Sequence, residues 1–175
     1  MGAIPELIAA PLSNAELAAR YRALCDDPLY ANVPGKIELD TWGRMVMTPA
    51  SYYHGVLQGR LVRLLQSALG GEASVEAPLV TPAGLFVVDV AWASSQFAKV
   101  HGAQNPLTRA PELCVEVVSP ANSIKELREK VDAYLGADAK EVWIVYPQSK
   151  RVECYGRSGP LAASRFPLDL SALFE

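Results

Sequence analysis

Cysteine and histidine are scarce in this chain, which excludes two common ways of stabilising a fold. Its 175 residues include three cysteines and two histidines. Cys25, Cys114 and Cys154 are odd in number, widely spaced and not grouped with either histidine. Neither a disulfide framework nor a zinc site is therefore indicated. Buried or unreactive thiols in a reducing compartment are the expected alternative.

Long apolar runs and a strong excess of one charge are also missing. No segment reaches the roughly 20 apolar residues of a membrane span, and the amino terminus lacks the charged start of a secretory signal. We therefore expect a cytoplasmic protein with no membrane association. The net charge of -3 argues against binding nucleic acid through an overall basic surface. A few lysines and arginines around one cleft would not show in this total.

Apolar residues, by contrast, are plentiful. Half of the chain is hydrophobic and a fifth is charged, which is enough to build a sizeable core at this length. We expect residues 1–175 to form a single domain, in which residues 1–35 are an N-terminal extension that contains a helix.

Spacing and capping signals predict three helices. Two of them begin at capping boxes, in which a serine stands three residues before a glutamate. The serine–glutamate pairs are Ser13 with Glu16 and Ser123 with Glu126. The third has apolar residues at helical spacing and ends at a pair of glycines. The predicted helices cover residues 13–24, 51–69 and 123–135.

Short apolar runs bounded by turn residues predict seven strands. The first two form a hairpin around Thr41-Trp42-Gly43, and two central ones are nearly continuous apolar runs, as in strands that are covered on both faces. The predicted strands cover residues 36–40, 44–48, 74–80, 85–93, 113–119, 141–146 and 150–155. This order predicts an α/β fold, with an N-terminal helix, a β-hairpin and a central mixed sheet that is flanked by helices.

Two of the apolar strands each contain one carboxylate. Asp89 interrupts the run LFVVDVAWA, and Glu116 interrupts LCVEVV. Burying an unpaired carboxylate costs several kcal/mol, so such a residue is normally protonated, paired or bound to a metal. If the strands are neighbours, the carboxylates can converge, and a divalent cation with oxygen ligands would relieve their repulsion. The alternative is that each acid lies at a strand end or forms a salt bridge.

These residues carry a resemblance to a known family. The segments VVDVAW, PELCVEVVSPANS with Lys130 and Tyr134 after it, and AKEVWIVYP resemble the Uma family of restriction endonucleases, a branch of the PD-(D/E)XK nuclease superfamily. The segments ELDTWGRMVMTPAS, His54-Gly55, Gln58-Gly59-Arg60 and SRFPLDLSALF are similar to the same family. The resemblance runs from about Ile37 to the carboxyl end and leaves the N-terminal helix outside.

The resemblance implies a restriction-endonuclease-like fold in which Asp89 and Glu116 hold a magnesium or manganese ion. Glu38 matches a further acid of the family pattern and would be another metal ligand or would orient the others. The superfamily normally has a lysine two residues after the glutamate, but this position is Val118. Because the superfamily is known to move this lysine to the following helix, the resemblance assigns its role to Lys130.

Helical geometry alone leaves Lys130 and Arg128 both open as the catalytic cation. The apolar face of the helix consists of Ile124, Leu127, Val131, Tyr134 and Leu135. Lys130 and Arg128 lie on opposite borders of this face, whereas Lys125 points mostly to solvent. The resemblance, in which the lysine precedes the tyrosine by four residues, favours Lys130. A surface pair between Lys130 and Glu126 is the alternative.

Other polar residues have two interpretations each. His54, near the start of the long helix, could reach a metal or a phosphate, but a lone histidine at a helix start is more often a simple polar contact. Arg60 and Arg63 share a helix face and could meet phosphates, although such a pair is more often solvated.

The sequence therefore predicts an endonuclease that uses Mg or Mn to hydrolyse phosphodiester bonds of nucleic acid, with DNA favoured as the substrate. Its predicted catalytic residues are Asp89, Glu116, Lys130 and Glu38. Two other classes of function stay open: a catalytically silent protein that binds nucleic acid or another partner, and a scaffold whose acids are salt-bridged and bind no divalent ion. A homodimer is compatible with each of them.

Overall fold

Eight strands and four α-helices make up the part of the chain that the structure, a computed structural model, describes: residues 10–33, 35–48 and 51–175. The helices are α1 (Asn14–Asp26), α2 (Tyr52–Leu69), α3 (Ser95–His101) and α4 (Ile124–Gly136), and a short 3-10 helix covers Leu170–Phe174. The strands are β1 (Lys36–Leu39), β2 (Met45–Thr48), β3 (Glu72–Thr81), β4 (Gly84–Ala93), β5 (Leu113–Val117), β6 (Glu141–Tyr146), β7 (Arg151–Gly156) and β8 (Gly159–Leu161).

The strands form one mixed sheet. Its order is β2-β1-β4-β5-β6-β7-β8, and β3 pairs with β4 outside this path. Neighbouring strands are antiparallel except for β5 and β6, which are parallel and are connected through α4. The prediction of a central mixed sheet flanked by helices, with an N-terminal helix and a β-hairpin, is confirmed.

Strand β4 has three partners, and two of them share one edge. β3 follows β4 over its whole length, from Glu72 opposite Ala93 to Thr81 opposite Gly84. On the other side, β1 pairs with β4 only at Leu85, and β5 pairs with it only from Val90 to Trp92. Among the described strands, none pairs with residues 86–89 on that side. We call this break in the ladder the β4 gap.

Apolar layers cover both faces of the central strands. On one face, α4 packs Leu127, Val131 and Tyr134 against buried strand residues that include Ala91 and Ile144. On the other face, α2 and the C-terminal segment pack against a second buried set. The fully buried leucines of α2 are Leu57, Leu61 and Leu65. Burying a leucine side chain contributes about 1.5–3 kcal/mol, so these two helices hold the sheet in place.

The described part of the N-terminal extension packs onto the sheet as well. Leu17 of α1 lies in a small buried cluster with Leu39 of β1 and Leu85 and Val87 of β4. Residues 1–9 lie outside the described residues, and a single domain over 1–175 stays a prediction. Within the described part of the chain, no helix combines the length and the apolar character needed to cross a membrane.

Both predicted capping boxes form. In α1, Ser13 accepts from the backbone of Glu16, whose carboxylate accepts from the backbone of Ser13. In α4, Ser123 and Glu126 make the same reciprocal pair. Because the carboxylate of Glu126 is committed to this cap, the alternative surface pair with Lys130 is not formed.

Several boundaries differ from the sequence prediction for local reasons. β5 ends at Val117 rather than at 119, because Ser119 turns to bond the side chain of Asn122. Ile124 is 69% exposed rather than packed, because as the first residue of α4 it precedes the turns that cover the sheet. The sequence analysis missed α3, β8 and the 3-10 helix. α3 is seven residues long and buries none of them, so it has no apolar stripe to detect.

The capping box of α4 yields a stability prediction. Ser123→Ala removes the acceptor for the Glu126 amide and is expected to lower the free energy of unfolding by about 1 kcal/mol. Urea unfolding followed by circular dichroism measures the change. Ser67→Ala, an exposed serine within α2, is the matched control and should change stability by less than about 0.5 kcal/mol. Equal losses in the two variants would contradict a capping role for Ser123.

Candidate active site

Side chains satisfy the backbone of β4 where the ladder is broken. The Val87 amide donates to Oε1 of Glu38 at 2.9 Å, and Nζ of Lys36 donates to the Val87 carbonyl at 3.3 Å. Nε2 of Gln58, from α2, donates to the Asp89 carbonyl at 3.2 Å. Backbone groups left unpaired in a buried edge cost as much as a lost hydrogen bond. Polar side chains therefore replace a strand in the β4 gap.

Lys130 connects two of the predicted acids. Its ammonium donates to Oε1 of Glu38 at 2.9 Å and to Oε2 of Glu116 at 3.1 Å. The hydroxyl of Tyr134, one turn further along α4, donates to Oε1 of Glu116 at 2.8 Å. All four side chains are buried, and Lys130 also lies 5.7 Å above the ring of Phe86. A buried charge is tolerated only when it is paired, so this cluster is held together by mutual neutralisation.

Asp89 is held by the two strands that share the gap side of β4, β1 and β5. Its Oδ2 accepts from the Val117 amide, at the end of β5, at 2.7 Å. Its Oδ1 forms a close ion pair with Lys36 and lies 3.2 Å from Nε2 of His54. This approach by His54 is outside hydrogen-bond geometry, so Nε2 is a buried nitrogen with no hydrogen-bond partner among the described residues.

These residues open into a pocket of about 170 Å³ that is lined by strands β1 to β5 and helices α2 and α4. Its lining consists of Gly35, Lys36, Thr48, Ser51, His54, Gly55, Gln58, Glu76, Asp89, Glu116, Val117, Ser119, Asn122 and Lys130. A larger cavity of about 590 Å³ lies between β7, β8 and the C-terminal segment, but its lining contains a single ionisable carboxylate, Glu153. Chemistry rather than volume therefore identifies the candidate site.

The two strand acids experience opposite electrostatic environments. Burial opposes ionisation of Asp89, but His54 and Lys36 outweigh it and hold the pKa of Asp89 at about 2. Burial raises the pKa of Glu116; Lys130 offsets part of this rise, and the negative charge of Asp89 adds to it. Carboxylates with pKa values driven apart in one cleft are typical of functional sites.

The same environment acts on the two α4 side chains. Burial alone would lower the pKa of Lys130, but the carboxylates of Glu116 and Glu38 outweigh it and raise this pKa above its ordinary value. Burial and the charge of Glu116 raise the pKa of Tyr134 well above its usual range. Both directions favour the protonated forms, a positively charged Lys130 and a neutral Tyr134.

The structure brings the five residues that were singled out from the sequence into one neighbourhood. Asp89, Glu116, Lys130 and His54 line the pocket, and Glu38 lies behind Lys130, outside the lining. Their catalytic and metal-binding roles stay predictions.

The other cations that were considered lie elsewhere. Lys125 has a side chain that is 86% exposed and pairs with Glu129, and Arg128 is exposed. Arg60 donates to the carbonyl of Leu173, away from the pocket. Of the α4 cations, only Lys130 reaches the acids.

The sequence analysis missed Lys36, Gln58 and Glu76 as pocket residues. Lys36 had a usable signal: it alternates with Glu38 on β1, so both side chains lie on the same face of the strand. Gln58 had a weaker signal: it lies one turn after His54 on the same face of α2. Nothing in the sequence pointed to Glu76, which lines the pocket with a positive φ of 53°.

The pocket offers oxygen ligands of the kind that magnesium and manganese prefer. Among the described residues, no group of three or more His, Cys, Asp or Glu side chains is arranged to hold a metal. Magnesium is often held by only one or two carboxylates, and water and phosphate supply its other ligands. Asp89 and Glu116 fit this smaller set. Nε2 of His54, which has no hydrogen-bond partner in the described part of the chain, lies beside Asp89. Glu38 is engaged by Lys130 and by the Val87 amide.

Comparisons with known proteins identify a family and a fold for this chain. The family model Uma2, described as "Putative restriction endonuclease", matches residues 18–171. A crystal structure from Anabaena variabilis, described as a "putative nuclease belonging to DUF820", superposes with a TM-score of 0.65. The two chains are 15% identical, and the match covers 83% of this chain and 94% of that one, so this likeness concerns the fold alone. No curated protein matches the chain.

The hydroxyl of Tyr134 is expected to stabilise the protein through its bond to buried Glu116. Tyr134→Phe should lower the free energy of unfolding by about 1.5–3 kcal/mol, because a buried carboxylate loses a donor that water cannot replace. Urea unfolding measures the loss. Tyr146→Phe is the matched control: its hydroxyl bonds the half-buried Glu153, where water can substitute, so about 1 kcal/mol or less is expected. Equal losses would argue against a special role for the Tyr134 contact.

Proposed function

Because the chain belongs to the Uma2 family of putative restriction endonucleases, we propose that its pocket hydrolyses phosphodiester bonds of nucleic acid with the help of magnesium or manganese. DNA is the favoured substrate. The observation that carries this proposal is the convergence of Asp89, Glu116 and Lys130 on one pocket. This acid–acid–lysine set corresponds to the PD-(D/E)XK pattern, with the lysine moved from the strand to the next helix.

Asp89 and Glu116 would hold the divalent ion. When bound, the ion supplies charge stabilisation at the phosphate and a lowered pKa for attacking water. The protein orients the two ligands before the ion arrives: the Val117 amide fixes Asp89, and Tyr134 fixes Glu116. Glu38 acts one step further back, as a residue that positions Lys130 through their 2.9 Å contact.

Lys130 would stabilise the negative charge that develops on the phosphate during hydrolysis. Its ammonium is buried, lines the pocket and is held by two carboxylates from different strands, so it is already oriented before substrate binds. A charge that is preorganised in a site of low dielectric contributes far more than the same charge in water. Lys36 adds a second ammonium to the pocket. Local charge can therefore attract a phosphodiester although the whole chain is slightly acidic.

One observation supports a second class of function. The acids already have ammonium partners without a metal: Lys36 pairs with Asp89, and Lys130 pairs with Glu116. These ion pairs would be sufficient in a protein that retains the nuclease fold and binds nucleic acid or another partner without catalysing cleavage. In that case divalent ions would neither stabilise the protein nor support cleavage.

Metal binding is expected to stabilise the folded protein. Manganese or magnesium at a hundredfold excess over its dissociation constant should add about 2.7 kcal/mol, measured as a rise in melting temperature. Asp89→Asn should reduce this gain, because an amide binds a divalent ion more weakly than a carboxylate does. Asp132→Asn, at an exposed position on α4, is the control and should respond like wild type. The same metal response in wild type and Asp89→Asn would remove Asp89 from the ligand set.

Cleavage of DNA tests the proposed reaction and the role of Lys130. Wild type with manganese should cleave plasmid or single-stranded DNA, and Lys130→Ala should lower the rate by about 10²–10³-fold, as removal of other preorganised charge donors does. Arg128→Ala, on the same helix, should cleave at nearly the wild-type rate.

Stability has to be matched in this comparison. Removing Lys130 leaves two buried carboxylates uncompensated, which costs about 3–5 kcal/mol. The rates are therefore compared at a temperature where circular dichroism shows every variant folded. Lys130→Ala that cleaves as fast as wild type would refute the assignment. Wild type that binds DNA but cleaves nothing with either metal would favour the catalytically silent alternative.

A further inference from the structure

Lys36 occupies a position that the proposed nuclease chemistry does not require. It lies on β1, two residues before Glu38, and its side chain is only 11% exposed. Its ammonium contacts Oδ1 of Asp89 and the carbonyl of Val87, inside the β4 gap. A lysine that served only solubility would point to solvent. This one is built into the wall of the pocket.

The two oxygens of Asp89 have different partners. Oδ2 is committed to the Val117 amide, which holds the end of β5. Oδ1 faces Lys36 and His54. Oδ1 is the oxygen that is not committed to the backbone, so a divalent ion bound there would meet the ammonium of Lys36. Two cations held at one oxygen repel each other, so the ion and Lys36 would compete for it.

We propose that Lys36 is a tethered cation that competes with the divalent ion for Asp89 and, once displaced, binds the phosphodiester of the substrate. This inference rests on the proposed nuclease function. A lysine stem has several rotatable bonds, so the ammonium can leave Asp89 and still remain in the pocket. An ion held by Asp89 and the displaced ammonium of Lys36 would both attract the phosphate of the substrate.

The ion pair of Lys36 supports this coupling. Lys36 holds its positive charge against Asp89, a proposed ligand of the ion, so the ion alone would be opposed by Lys36. A phosphodiester adds a negative charge beside both cations and reduces this repulsion. Lys36 therefore makes metal binding depend on substrate binding.

The test compares Lys36→Met with wild type in two binding measurements. Without DNA, manganese binding is followed by the electron paramagnetic resonance of the free ion, and Lys36→Met should bind manganese at least tenfold more tightly because its competitor is gone. With calcium in place of manganese, a short DNA duplex should bind Lys36→Met about tenfold more weakly. Lys36→Arg, which keeps the charge, should restore the DNA affinity.

The opposite signs of the two effects distinguish this role from a structural one, which would weaken both. Lys125→Met, on the exposed face of α4, is the control and should leave both affinities unchanged. Circular dichroism checks folding, and Lys36→Gln replaces Lys36→Met if the latter is unfolded. If a folded Lys36 variant bound manganese no more tightly than wild type does, the inference would be overturned. The proposed nuclease function would stand in that case, provided that wild type binds manganese and cleaves DNA. No manganese binding by wild type or variant would overturn both.

Discussion

A buried ammonium between two carboxylates is the interaction on which the architecture of the site depends. Lys130 on α4 contacts Glu38 on β1 and Glu116 on β5, so three elements far apart in the chain meet at one charge. None of the three side chains could be buried alone, because an unpaired charge in the interior costs several kcal/mol. The packing of α4 on the sheet and the position of β1 beside β4 are therefore energetically linked.

The β4 gap gives this cluster room to face a substrate. If β1 and β5 together paired with β4 along its whole length, their backbone would fill this edge. The side chains of Lys36, Gln58 and Asp89 would then have no opening between the strands. Because β1 meets β4 at a single residue pair, side chains take over the hydrogen bonds of Val87. Two of the side chains that satisfy the backbone of β4, Lys36 and Gln58, thus also line the pocket.

Asp89, Glu116 and Lys130 could be predicted because local patterns indicate them. The acids are lone charges in apolar strands, and Lys130 follows a helix cap and lies at the border of an apolar helix face. Spacing in the sequence also predicted most of the strands and three helices. Alternation with Glu38 could have placed Lys36 on the same face of β1, but its role in the pocket depends on where β1 meets β4, a long-range register that no local period encodes. For the same reason, the β4 gap could not be predicted from the sequence. The exposed start of α4 at Ile124 shows the converse: periodicity identifies a helix face but not the extent to which the sheet covers it.

The single pairing between β1 and β4 also has a consequence for how this region moves. Among the described residues, the hairpin of β1 and β2 pairs with β4 only at Leu39, and its other attachments include side-chain contacts of Lys36 and Glu38 and hydrogen bonds from Leu12 and Arg20 to its turn. Regions with few ladder bonds form the low-energy end of local opening. The hairpin is therefore expected to open locally at a lower free energy than strands that have continuous ladder partners, and its ion pairs with Asp89 and Lys130 add to that free energy.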